Sequence, residues 1–196
     1  FLEHRYLILI SFLFFVTSNI ILYFASNYVD KVQNAVVPDL ILDHLPVVNL
    51  DFIFVYGFLA LVAFVFVYVF FIRIKDFHKA FAQFGLLILV RSFFIILTHL
   101  ERPANAISLT GFPKIYHFLS FYNDLFFSGH VAIPFMAFLL FRKEKIGIFF
   151  LIAAILLAAT VLLMHVHYSI DVFSAFFITY GVYIFGEQLF KKMNNY

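Results

Sequence analysis

Two short polar motifs interrupt an otherwise apolar chain, Ser128-Gly129-His130 and His165-Val166-His167-Tyr168-Ser169-Ile170-Asp171. Histidines and carboxylates are expensive within greasy segments and tend to mark function there. His167 and Asp171 are four residues apart, so on a helix they share one face. Asp171 could then accept the Nδ1 proton of His167 and fix the tautomer, leaving Nε2 as nucleophile or base. Alone, that spacing fits a polar pair at a helix start equally well. In the other motif Ser128 is a good helix N-cap, and Gly129 permits close backbone approach. The N–H groups of such a helix start can cradle a phosphate. Pro134 leaves the His130 carbonyl without its helical donor, so a kink is expected there. His130 could protonate a leaving oxygen, although a capped helix start with an interfacial His explains this motif as well. Taken together, the motifs supply one imidazole to attack phosphorus and another to protonate the departing alkoxide.

Other polar residues are candidates for holding a substrate. Arg91 lies inside an apolar run and needs a partner or a wet cavity, which makes it a candidate bidentate phosphate clamp, with snorkelling as the alternative. Arg102, ahead of Pro103, is a second phosphate candidate or a solvated loop residue. His165 is two residues from His167, on another face if helical, and could pack or bond to substrate. Tyr116, Phe121, Tyr122 and Tyr168 could cradle a cationic head group or form an interfacial belt. His99, Glu101 and His117 read as loop residues, and Glu187 as interfacial. His130, His165, His167 and Asp171 would be enough ligands for zinc. No His-Glu-x-x-His or similar spacing occurs, so neither a metal nor a cofactor is expected.

Hydrophobic residues make up 65% of the 196, and mean hydropathy is +1.04. A soluble domain of this size could not hide so much apolar surface, so the class is all-α integral membrane. With no Cys, thiol nucleophiles and disulfides are excluded. Six apolar runs can be marked, roughly 6–25, 52–72, 80–98, 126–141, 146–164 and 171–190. Most approach the ~20 residues that span a bilayer, and the fourth is short. The first is expected to stay as a span, being too long for a cleaved leader. One transmembrane catalytic domain is expected to fill residues 1–196. With both termini cytoplasmic, nine cationic residues fall inside: Arg5, Arg73, Lys75, Lys79, Arg142, Lys143, Lys145, Lys191 and Lys192. Three fall outside, Lys31, Arg102 and Lys114. That asymmetry follows the positive-inside rule and puts both motifs at the extracytoplasmic face. Two long outer loops, about 26–51 and 99–125, are expected to form a lid or short interfacial helices.

The order Ser128-Gly129-His130, then His167-x-x-x-Asp171, resembles the last two signature motifs of the type-2 phosphatidic acid phosphatase superfamily. The run His165–Val172, with its extra His, is similar to the sphingomyelin synthase branch. So are Asn123–His130, the run from Arg91-Ser92-Phe93 and, more loosely, Pro38–Pro46. The likeness covers roughly residues 36–190. Two departures from the simple phosphatases point the same way. The residues around Ile96, ahead of Arg102-Pro103, are apolar where those enzymes usually carry Lys, and Thr160-Val161 stands where they carry Ser-Arg. The resemblance implies that His167 forms a phosphohistidine, that Asp171 orients it, and that His130 is general acid and then base. Arg91, Arg102, Ser128, Gly129, His165 and Tyr168 are the candidate substrate-binding residues.

The expected activity is head-group transfer, phosphocholine or a related group, from a membrane phospholipid to a lipid alcohol. Water as acceptor gives the alternative, a lipid-phosphate phosphatase or phospholipase C-like hydrolase. A proton-coupled transporter is the non-enzyme alternative, but its polar residues belong near the midplane on broken helices, not at segment ends. Absent Cys and Trp with abundant Phe, Ile and Lys hint at an AT-rich bacterial genome, hence a bacterial inner membrane with the site facing outwards.

Overall fold

A computed structural model describes residues 2–109 and 124–193, with side chains from 6–109 and 124–192. Lys114, Tyr116, His117, Phe121, Tyr122 and Asn123 lie outside the described residues. Within them the protein is all-helical, with no strand. Apolar sequence in lipid has no water to satisfy its backbone, and the helix satisfies it internally. The helices are α1 (Leu2–Val29), α2 (Ile53–Ile72), α3 (Phe77–Leu97), α4 (Gly129–Phe141), α5 (Lys145–Leu163) and α6 (Ser169–Met193). Five of these segments are long and apolar enough to cross a membrane, α3 counted together with the 3-10 turn at Ile74–Asp76. The sixth, α4, has 13 residues.

The fourth apolar run was expected to be helical from about residue 126, but α4 starts at Gly129. The reason is Arg91. Its Nε donates to the Phe127 carbonyl at 2.7 Å, and Nη2 donates to the Asp124 carbonyl at 3.1 Å. Those carbonyls are drawn into a turn and are lost to a helix.

Helix α3 is the centre of the bundle: 56% of its apolar window is buried, against 11% for α1. Helix α1 packs along α3, and α4 packs on α5 and α6. Gly85 permits the α1–α3 approach, since a Cβ there would lie 2.8 Å from the Phe14 ring and 3.2 Å from the Phe15 backbone. Helix α2 is α-helical at Phe58–Val67, with a π-helical turn on either side, at Ile53–Gly57 and Tyr68–Ile72.

The two ends of the bundle differ in chemistry. One carries the basic residues and is tied by carboxylates: Tyr68 donates to Glu144 at 2.6 Å, Arg73 pairs with Glu144 at 2.9 Å, and Lys79 pairs with Glu187 at 2.7 Å. Glu187 is therefore an ion-pair partner. Both polar motifs sit at the other end. There the first long loop is stitched over the α5–α6 turn. Ala35 bridges to Leu100, and Val48 N–H donates to the Leu163 carbonyl at 2.8 Å. Ile107 N–H, from the second loop, donates to the Met164 carbonyl at 3.1 Å.

Candidate active site

His167 is not on a helix. It lies in the bend between α5 and α6, and Asp171 is the third residue of α6. The pair meets because the carboxylate reaches back, not because both share a helix face. Asp171 Oδ2 accepts the Tyr168 N–H at 3.0 Å and lies 3.4 Å from His167 Nδ1. A carboxylate at this position satisfies a backbone donor that every helix start leaves open. The two side chains are 7% and 0% exposed, so a proton on Nδ1 has no water to compete for it. Nε2, the far ring atom, is then the basic one.

The bend has its own signature. Val166 N–H donates to the Val161 carbonyl at 3.2 Å, and His165 N–H to the Leu162 carbonyl at 3.0 Å. These are the two bonds of a Schellman ending, and His165 sits where glycine is usual, at φ 55°. A non-glycine residue held there carries backbone strain. Its imidazole is buried, and Nε2 has no partner among the described residues.

Ser128 stands at the N-cap of α4, but its hydroxyl makes no capping bond and is buried. The backbone does the joining: Ser128 N–H donates to the Asp171 carbonyl at 3.1 Å, fastening the start of α4 to the first turn of α6. This bond brings the two motifs together. The His130 and His167 ring centres are 6.5 Å apart. His130 lies between two phenyl rings of α2, Phe54 (4.0 Å, 15°) and Phe58 (4.0 Å, 34°). Phe54 belongs to the π-helical turn, a distortion frequent at functional sites. These rings fix the imidazole plane and keep bulk water off it.

Between the two histidines opens a cavity of about 440 Å³. Its polar lining is gathered at one end: Arg91, Arg102, Asp124, His130 and His167, with Gly129 beside them. The rest is apolar but for Asn19, whose Nδ2 donates to the Phe15 carbonyl at 2.8 Å, and runs between α1, α2 and α3. Arg91 is not a free clamp. Besides the two carbonyls, its Nη1 pairs with Asp124 at 2.8 and 2.9 Å, and Asp124 also accepts the Ser26 hydroxyl at 3.1 Å. Gly129 leaves room above the guanidinium, as a Cβ there would stand 3.5 Å from Arg91 Nε.

The cavity therefore joins His130, His167, Arg91, Arg102 and Gly129 from the sequence candidates. It does not join Ser128, His165 or Tyr168. Tyr168 is a strut: its hydroxyl donates to the Glu101 carbonyl at 2.8 Å and accepts the Val37 N–H at 3.2 Å. Burial pushes its phenol above the ordinary value, with the Asp171, Glu101 and Asp39 charges adding to this against the Val37 donor.

Three contributors went unrecognised in the sequence: Asp124, the phenyl pair, and Asp39. Asp39 Oδ2 accepts the Ser169 N–H at 2.6 Å, while Oδ1 accepts those of Ile41 and Leu42 at 3.0 and 3.1 Å. Burial pushes this carboxyl up, but those donors outweigh it and hold it below its ordinary value. The signal for Asp39 was the dipeptide Pro38-Asp39, a turn former ahead of an apolar stretch. The start of α6 is thus capped by Asp39 and Asp171, while α4 begins beside the cavity with Gly129 and His130 in its lining. Among the described residues no cluster of three or more His, Cys, Asp and Glu could hold a metal.

Residues 123–188 match the family model described as PAP2 superfamily C-terminal. The match takes in both motifs and supports the type-2 phosphatidic acid phosphatase superfamily, whose members are phosphatases and phosphotransferases. No curated protein matches the chain.

Proposed function

We propose that this protein is a lipid phosphotransferase that moves a phosphoryl-linked head group through His167. The observation that carries this reading is the shape of the cavity. Arg91, Arg102, His130 and His167, with Asp124, crowd one end and mostly hydrocarbon lines the rest, which matches an amphiphile with a phosphate head. The phosphate would sit between His167 and His130, with Arg102 and the start of α4 facing its oxygens and the Asp124-held Arg91 adding its charge behind them. His167 Nε2 attacks phosphorus, the bond from phosphorus to the leaving oxygen breaks, and His130 gives that oxygen its proton. Asp171 holds the Nδ1 proton as the ring gains charge. In the second half His130 takes the proton of an incoming alcohol or water, the new oxygen attacks, and the P–N bond breaks.

Six crossings, with both termini in the cytoplasm and the site at the outer leaflet of a bacterial inner membrane, complete the reading. It is supported by the basic residues gathered at the end opposite the motifs, and α4 would cross with help from the turn at residues 124–128. The clustering of the polar groups at one end disfavours a proton-coupled transporter.

The resemblance to the sphingomyelin synthase branch favours a lipid alcohol over water as acceptor. The test is purified protein with a panel of phosphatidic acid, phosphatidylcholine and phosphatidylethanolamine, each with and without diacylglycerol or ceramide. New phosphodiester lipid made at the expense of the donor is the expected result. Free phosphate from phosphatidic acid, with no phosphodiester lipid made or consumed, would replace transfer by hydrolysis.

A further inference from the structure

The cavity is long. Its lining follows α2 from Phe54 to Val69, fifteen residues, or about 22 Å of helix rise. At the lower end three phenyl rings from three helices meet. Phe15 of α1 lies 6.0 Å from Phe66 of α2 and 5.0 Å from Phe81 of α3, and Phe66 lies 5.7 Å from Phe81, all edge to face. Phe81 is braced from behind by Phe77, stacked at 4.2 Å. The lining goes only one turn further, to Val69 and Ala80. From Phe81 up to Arg91 the helix rises about 15 Å, half of the ~30 Å hydrocarbon core.

We propose that this cavity takes the acyl or alkyl part of the substrate, and that Phe15, Phe66 and Phe81 set the longest chain it admits. The inference rests on the reading of the substrate as a lipid, but not on what happens at phosphorus. Edge-to-face rings resist displacement because each is held by the other two, so a chain that outgrows the slot must bend back.

The test uses single-chain lysophosphatidic acids with saturated tails from decanoyl to eicosanoyl. Binding is read as thermal stabilisation of the full chain, and turnover separately. Affinity should climb about fourfold per methylene that finds room and then stop at a limiting length. Phe66→Ala and Phe81→Ala should move that limit by two or more methylenes towards longer tails. Phe81→Leu should do so by less, and Val62→Phe should move it towards shorter tails. The leucine and phenylalanine variants keep the question open to test if the alanine variants fail to fold. A limit that stays put in every folded variant, or a change equal at all lengths, would overturn the proposal. Limits that move without any turnover would leave the chain slot standing and remove the phosphotransfer reading. Turnover with an immovable limit would do the reverse.

Discussion

At Asp171 a single oxygen faces two groups, the Tyr168 N–H at 3.0 Å and His167 Nδ1 at 3.4 Å. Asparagine could keep an oxygen at that point, but without the charge that stabilises the ring as it gains a proton, and its NH2, if turned there instead, would select the wrong tautomer. Asp171→Asn is therefore expected to keep the fold and to slow turnover, by as much as ~10⁴-fold where the wrong tautomer dominates. Removing His130 acts on the leaving group instead. His130→Ala should reduce turnover of a lipid substrate ~10²–10⁴-fold, and much less with nitrophenyl phosphate, whose leaving group needs no proton. Parallel rate measurements on both substrates check this, and an equal loss on both would remove His130 as the acid. The partnership of His167 with Asp171 was legible from spacing and residue type alone. Its geometry was not, because a bend and a helix face both bring residues four apart together. The Phe54–Phe58 clasp on His130 was illegible for a different reason: with 32 phenylalanines, none stands out by type.

At the scale of the elements, six apolar runs gave the helices to within a few residues, and the errors sit where a side chain competes for the backbone. Arg91 unwinds residues 124–127, and its charge is balanced by Asp124, their side chains being only 10% and 9% exposed. Asp124→Ala would strand a buried guanidinium, and losses of ~3–5 kcal/mol follow when one partner of such a pair is removed. Denaturation in detergent should show it. Arg91→Leu with Asp124→Leu should recover part of that stability, but not activity. Asp39 works at the start of α6 in a similar way, and no periodicity could reveal it, because it caps a helix 130 residues further on. Its folded value lies below the unfolded 3.8. Its contribution is thus fully present above that value and is lost as pH falls through the lower folded one. Asp39→Asn offers one acceptor where the carboxylate offers two. The melting temperature of the variant should lie below that of the parent at neutral pH, and the gap should narrow as pH drops below about 4. A gap that does not change with acid would mean that Asp39 acts by shape alone.

For the whole molecule, the site and the basic residues occupy opposite ends, and the proposed outer-leaflet reading turns on which end faces the cytoplasm. Arg73, Lys79 and their partners Glu144 and Glu187 form a polar rim far from His167. Cationic rims face the cytoplasm because translocating such loops is disfavoured. The long loops, bridged at Ala35 and Leu100, cover the motif end instead. The fold in turn explains why the chain spends so much sequence outside its helices: the loops carry Asp39, Arg102 and Asp124 to the site, and no transmembrane segment could deliver three charges so cheaply. Cysteine is absent from these 196 residues, so single replacements in them report without background. A Cys at exposed Ala104 should react with a membrane-impermeant maleimide in intact cells, and a Cys at exposed Lys143 only after lysis. Labelling in the reverse order would turn the protein over, and the enzyme would then draw its lipids from the cytoplasmic leaflet. Labelling of both from one side would mean that α4, with its 13 residues, enters the membrane without crossing it.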